Sequence, residues 1–127
     1  MKKISIKSNT KDGGHYSAGV AYNGLLYISG QLSVNPETGK RENNIKDETL
    51  QALKNLDRVL IASGSTRDDV IQCRIYTPSV SYWPEINKVY ADFFGDHKPS
   101  RVVVPCNTLH GGCLVEIEAI AIYKEEK

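Results

Sequence analysis

Apolar and polar residues alternate with a period of two along several stretches of the chain and with a period near 3.6 along two others, and the switching predicts its elements. Ile4 and Ile6 alternate with polar neighbours and mark a short first strand. Residues 18–22 (AGVAY) and 25–29 (LLYIS) flank Asn23-Gly24. A type I′ hairpin turn favours that pair because both central positions need positive φ. Residues 35–39 (NPETG) are turn chemistry again. From Asp47 to about Ser63 the period becomes helical, with Leu50, Leu53, Leu56 and Leu60 along one stripe. Asp47 and Glu48 fall in the first turn, and Gly64 stands where a helix ends. Residues 70–76 read as a strand with Ile71, Cys73 and Ile75 on one face. A second helix runs from about Tyr82 to Phe94, with Ile86, Val89, Tyr90, Phe93 and Phe94 as its apolar face. Ser81 is placed to cap it, Pro84 fits its first turn, and Gly95 ends it. Residues 101–104 and 113–123 close the chain as two strands, expected to form a C-terminal hairpin around a loop ending in Gly111-Gly112. The predicted order is βββαβαββ, an α+β chain with a mixed sheet and two helices on one face.

The last strand shows what that arrangement leaves open. Val115, Ile117, Ala119 and Ala121 point one way, and Leu114, Glu116, Glu118, Ile120 and Ile122 the other. Both sets carry aliphatic residues, yet two helices cover only one face of such a sheet. An apolar second face with no helix left to cover it predicts burial against another copy of the chain, with any site at the subunit boundary.

Composition adds exclusions. The 127 residues are expected to form one domain, 1–127, without repeat or linker. Hydrophobic residues make up 40% and charged residues 24%, a balance foreign to disordered chains, collagen and coiled coils. Sixteen basic against fifteen acidic residues give a net charge of +1, so no field of one sign favours nucleic acid or an anionic membrane. Lys2, Lys3, Lys7 and Lys11 read as a solvated edge, and Lys7 and Lys11 interrupt the apolar run that a signal peptide needs. A cytoplasmic protein without membrane or nucleic-acid partners is the expectation.

The candidate chemistry is sparse. Gly13-Gly14 and Gly111-Gly112 lack the spacing of a phosphate-binding loop, and no serine nucleophile elbow appears. Cys106, His110 and Cys113 form a C-x3-H-x2-C cluster, but zinc needs a fourth donor or an open water position, and no nearby fourth ligand is evident. A loop carrying two thiols is the plainer reading, with a metal site or a Cys106–Cys113 disulfide as alternatives. His15, His97 and His110 each sit among turn residues, with His15 and His110 the more interesting pair. Arg101 is followed by three valines, which places a guanidinium at the mouth of an apolar region. Its planar fork pairs carboxylates bidentately. Glu116 is an acid inside an otherwise aliphatic strand, where a raised pKa would suit it to proton transfer. Either these two serve a site or they form a cross-strand ion pair.

The residues in this pattern also carry a resemblance. Pro99-Ser100-Arg101, Leu109 and residues 114–121 (LVEIEAIA) resemble the signature of the RidA/YjgF family of reactive-intermediate deaminases, whose members are also called L-PSP or translation-inhibitor proteins. Residues 15–19 (HYSAG), 28–32 (ISGQL), 34–39 (VNPETG) and 87–94 (NKVYADFF) extend the similarity to essentially the whole chain. The resemblance implies a chorismate-mutase-like homotrimer with the sheets facing inward and a ligand cleft between neighbours. It implies hydrolysis of 2-imino acids and their enamines, such as 2-aminoacrylate/2-iminopropanoate and 2-iminobutanoate, to 2-oxo acids and ammonia without metal or other cofactor. By the same resemblance Arg101 clamps the substrate carboxylate and Glu116 orients or deprotonates water. Gly30, Val102 and Val103 match positions that contact the ligand, and Tyr16, Ser29 and Asn87 match positions that line the cleft. Val103 stands where many members have cysteine, Val102 replaces a usual small residue, and the segment before Pro99 is shorter. Two other functions compete: a non-catalytic protein that binds small carboxylates, and an endoribonuclease that inhibits translation, which the near-zero net charge disfavours.

Overall fold

The computed structural model describes residues 1–6 and 14–125. The first strand, β1 (Lys2–Ile4), pairs antiparallel with β2 (Gly19–Tyr22), and β2 turns back into β3 (Leu25–Leu32). Asn23 and Gly24 take φ of 57° and 81°, the left-handed pair that the turn was expected to need. Lys2 and Lys3 are exposed, while Lys7, Lys11 and Gly13 lie outside the described residues. Ile6, expected in the first strand, follows it and packs half-buried against the core.

Asn44 starts α1 (Ile45–Ala62), its side-chain oxygen accepting from the Asp47 N–H at 2.9 Å, and Gly64 with φ of 76° follows its end. Its inward stripe is Ala52, Leu53, Leu56, Val59 and Leu60, whereas Leu50 turns to solvent. Next comes β4 (Val70–Thr77). Here the expected face is corrected. Val70 opposes Ala121 but Gln72 opposes Ile120, so an irregularity in the ladder buries Val70 and leaves Ile71 42% exposed. The second helix, α2 (Trp83–Phe94), has Pro84 in its first turn and ends at Gly95 with φ of 65°. Ser81 does not cap it. Its N–H is instead held by the Ser79 hydroxyl, and Tyr82 occupies the capping position.

The last strands are β5 (Ser100–Pro105) and β6 (Glu116–Ile122), which completes the order βββαβαββ. The six strands form one mixed sheet in the order β1-β2-β3-β6-β4-β5, with only β4 and β5 parallel. The expected C-terminal hairpin is therefore absent, because β4 lies between β5 and β6. Burial explains the choice. In β6, Ile117, Ala119 and Ala121 are buried and claim a central position, whereas β5 carries the half-buried Arg101 and exposed Val102 and suits an edge.

The core lies between the helices and the sheet face bearing Ala21, Leu26, Ile28, Cys73, Ile75, Ile117 and Ala119. Each fully buried leucine or isoleucine there contributes roughly 1.5–3 kcal/mol. Among the described residues no such layer covers the other face. Tyr27, Ile122 and Val102 remain 45%, 43% and 47% exposed on it. No helix among the described residues is long and apolar enough to cross a membrane.

Candidate active site

Register decides where the candidate cation points. Arg101 in β5 pairs with Cys73 in β4, and Cys73 is buried under the helices, so Arg101 leaves the sheet on the same side, toward α2. One turn apart along α2, Trp83, Asn87 and Tyr90 form the surface that receives it. Arg101 Nη1 donates to Asn87 Oδ1 at 3.0 Å, and the guanidinium lies 4.7 Å from the Tyr90 ring centre and 5.6 Å from that of Trp83. No carboxylate among the described residues forms a salt bridge with it. Val103 is half-buried against the core beside it, and Val102 turns to the open face. Beneath, burial pushes the Cys73 thiol up to about 11, with Tyr90 and the Arg101 charge opposing. Cys73 is therefore a protonated thiol at neutral pH. The Tyr90 hydroxyl next to Cys73 is pushed up chiefly by burial and has no partner of good hydrogen-bond geometry among the described residues.

Glu116 occupies the opposite face. Its carboxylate lies over Gly30, where a Cβ would come within 2.5 Å of Glu116 Oε2, so only glycine leaves it room. Gly30 belongs to the irregular stretch of β3 between Ile28 and Gln31, where the ladder to β6 shifts register. In the same stretch, Ser29 donates from Oγ to the Ser17 carbonyl at 2.6 Å and from its N–H to the Ala18 carbonyl at 3.0 Å. These bonds fasten the segment that carries Tyr16, which is exposed. Burial raises the Glu116 pKa above the ordinary glutamate value, the charge of Glu118 adds to the rise, and His110 opposes it. Glu118 itself accepts from the Tyr76 hydroxyl at 2.7 Å and from Arg74 Nη1 at 3.3 Å.

The residues thus fall into two groups. Arg101, Asn87 and Val103 share the helix side of the edge strand. Glu116, Gly30, Ser29 and the Tyr16 segment lie at the end of β3 and β6. The alternative of an Arg101–Glu116 ion pair is corrected by the register. Arg101 is level with Ala119 through Cys73, and Glu116 is level with Val104 through Tyr76. They stand two strands apart, about 10 Å, three residues apart along the strands, and on opposite faces.

Comparison with known proteins places this architecture. The family model described as endoribonuclease L-PSP matches residues 7–123. The chain belongs to that family. A RutC family protein of Pyrococcus horikoshii is 39% identical over 127 residues, covering 98% of this chain and 100% of its own. TdcF of Escherichia coli, named provisionally as a reactive intermediate deaminase, is 32% identical, covering 96% of this chain and 98% of its own. The crystal structure of TdcF with bound serine superposes with a TM-score of 0.91 at 29% identity, covering 98% of this chain and 100% of that one. These are relatives in the RidA/YjgF/L-PSP family that the motifs resemble.

Against other L-PSP features the loop cysteines stand apart. Cys106 is exposed and its thiol donates to the Asn107 carbonyl at 3.2 Å, while Cys113 is buried, and both are free thiols. Among the described residues no three histidine, cysteine or acidic side chains are grouped to hold a metal ion. Sequence reasoning overlooked Trp83 and put Tyr90 in the core alone. The spacing 83, 87, 90 along one stripe of a helix that precedes an arginine-bearing strand was the available signal.

Proposed function

We propose that this L-PSP family chain hydrolyses 2-imino acids such as 2-iminopropanoate and 2-iminobutanoate, formed from enamines such as 2-aminoacrylate, to 2-oxo acids and ammonia. One observation carries the reading: the Arg101 guanidinium is held by a neutral amide and two aromatic rings, and no carboxylate among the described residues forms a salt bridge with it. A cation so placed is open to the carboxylate of a small acid, at a gain on the order of 1.5–3 kcal/mol. The serine bound to TdcF, itself a small 2-amino acid, supports the same ligand class.

The site we propose joins the Arg101 group of one copy to the Glu116 group of another. That juxtaposition fits a homotrimer closed through the open sheet face. Arg101 fixes the substrate carboxylate, with Asn87 holding the guanidinium and Val103 beside it, while Val102 lines the open face that the neighbouring copy covers. Tyr16, Ser29 and Gly30 surround Glu116. The Glu116 carboxylate takes a proton from water as its oxygen adds to the imine carbon, and the C=N electron pair moves onto nitrogen. The protonated Glu116 returns that proton to nitrogen, giving a carbinolamine. Glu116 then takes the carbinolamine hydroxyl proton and passes it to the amine as the C–N bond breaks, so that ammonia leaves and the carbonyl forms. Positioning supplies much of the acceleration, since the imine carbon is already electrophilic. This scheme calls on no metal or cofactor.

The test is decay of 2-iminopropanoate generated by a dehydratase. Wild-type protein is expected to accelerate it, and Arg101→Ala to abolish the acceleration while the oligomer persists. Decay no faster than in buffer would overturn the proposal. A second reading, a non-catalytic carboxylate-binding protein, would call on the Arg101 group alone to grip an acid. Calorimetry showing tight 2-oxo acid binding without turnover would select it.

A further inference from the structure

Leu114 lies two residues before Glu116, and its backbone is held from both sides. Its N–H donates to Glu48 Oε1 at 3.0 Å, and its carbonyl accepts from the Thr77 hydroxyl at 2.9 Å. Glu48 Oε1 also accepts from the Ser33 hydroxyl at 2.7 Å, and Oε2 accepts from Arg41 Nη1 at 2.8 Å. Ser33, Glu48 and Thr77 are all fully buried. Placement makes this more than a general anchor. Glu116 pairs with Leu32 in β3 and Tyr76 in β4. The residues that follow these partners, Ser33 just beyond β3 and Thr77 at the end of β4, then reach Leu114, Thr77 directly and Ser33 through Glu48. Arg41 also lies against Gly112 in the same connection, with Nη2 3.4 Å from where a Cβ would sit. A bare carboxylate in the core is costly. Here each oxygen is hydrogen-bonded and an arginine balances the charge.

We propose that Glu48 and Thr77 are positioning residues for the hydrolysis, fixing Leu114 so that the Glu116 carboxylate stands at its working place above Gly30. The inference rests on the imine-hydrolysis reading. Neither residue touches substrate, so their loss should lower kcat through Glu116 and leave the Arg101 grip intact.

The experiment compares Thr77→Val, which keeps volume and removes the hydroxyl, with Glu48→Met, which removes the acceptor. Each is expected to lower kcat about tenfold and to leave KM and pyruvate binding within about twofold. In a Glu116→Gln background the same changes should cost less than about twofold more, because they act through a group already disabled. Unchanged kcat in both variants, or losses that simply add to that of Glu116→Gln, would overturn the proposal. Should Glu48→Met fail to fold, Thr77→Val carries the kinetic test. Absence of turnover in the wild type would defeat the functional reading and with it the kinetic role. The clamp is then judged by hydrogen exchange of the Leu114 amide, expected slow in the wild type and at least about tenfold faster in Glu48→Met. Equal rates would show that no clamp exists.

Discussion

Gly30→Ala isolates the position of Glu116 from everything else in the site. The Gly30 backbone lies outside the left-handed region, so alanine meets no conformational penalty there. Its new methyl group would meet Glu116 Oε2 at 2.5 Å, Cδ at 3.1 Å and Cγ at 3.4 Å. Ordinary contact begins near 3.4 Å, so the carboxylate has to retreat by roughly 1 Å. The moving atoms are the end of a flexible side chain, and the stability change is therefore expected to stay within about 1 kcal/mol. Catalysis is less forgiving. A misplacement of about 1 Å in a reacting group costs on the order of a hundredfold in rate, equivalent to about 2.7 kcal/mol. The assay is steady-state decay of 2-iminopropanoate alongside a thermal melt. The expected result is a kcat reduced about a hundredfold, a KM within about threefold of wild type, and a nearly unchanged Tm. A kcat within about twofold of wild type would refute the reasoning, as would a change confined to KM, which would make Gly30 a provider of substrate space alone.

Other consequences are as direct. Arg101→Lys keeps the charge but loses the planar fork, and should weaken 2-oxo acid binding by about tenfold in calorimetry, less than Arg101→Ala does. Burial, and secondarily Glu118, raise the Glu116 pKa, so the acid limb of the kcat/KM profile should lie above that of an ordinary glutamate, and Glu118→Gln should move it to lower pH. The raised value also means that Glu116 contributes most to stability while protonated, below its unfolded value, and loses that contribution as pH rises through the folded one. Glu116→Gln should therefore raise Tm at neutral pH. Co-refolding equal amounts of Arg101→Ala and Glu116→Gln chains should restore about one-quarter of the interface sites if each takes Arg101 from one copy and Glu116 from another. A mixture as inactive as its components would show that both residues act within one copy.

Local chemistry made most of the elements legible. Asn23-Gly24 dictates its turn through φ, and the 3.6-residue spacing of Leu53, Leu56 and Leu60 identifies a helix wherever it packs. What failed depended on distant partners. Insertion of β4 between β5 and β6 follows from which strand buries more apolar surface in the assembled sheet, and residues 101–123 hint at an edge and a centre without naming the strand that comes between them. Once β4 is inserted, the pairing of Arg101 with Glu116 is lost. Ile71 misled because strict alternation cannot anticipate a ladder irregularity one residue away. Glu48 read as a first-turn acid answering the helix dipole. Its spacing to Ala52 and Leu56 put it on the inward stripe, and a carboxylate there requires hydrogen-bond donors that only the fold can name.

The separation of Arg101 from Glu116 makes chemical sense for the proposed reaction. Side by side in one chain, the guanidinium would lower the pKa of the glutamate and weaken it as a base, and the glutamate would occupy the fork meant for substrate. Opposite faces of one sheet prevent both. Burial and Glu118 are left to set the basicity of Glu116, while Asn87 and the rings of Trp83 and Tyr90 hold Arg101 without neutralising it. In the proposed interface site, the substrate carboxylate would come between the two groups and take up the arginine charge. Glu116 can then remain basic beside a cation, with the ligand itself as the screen.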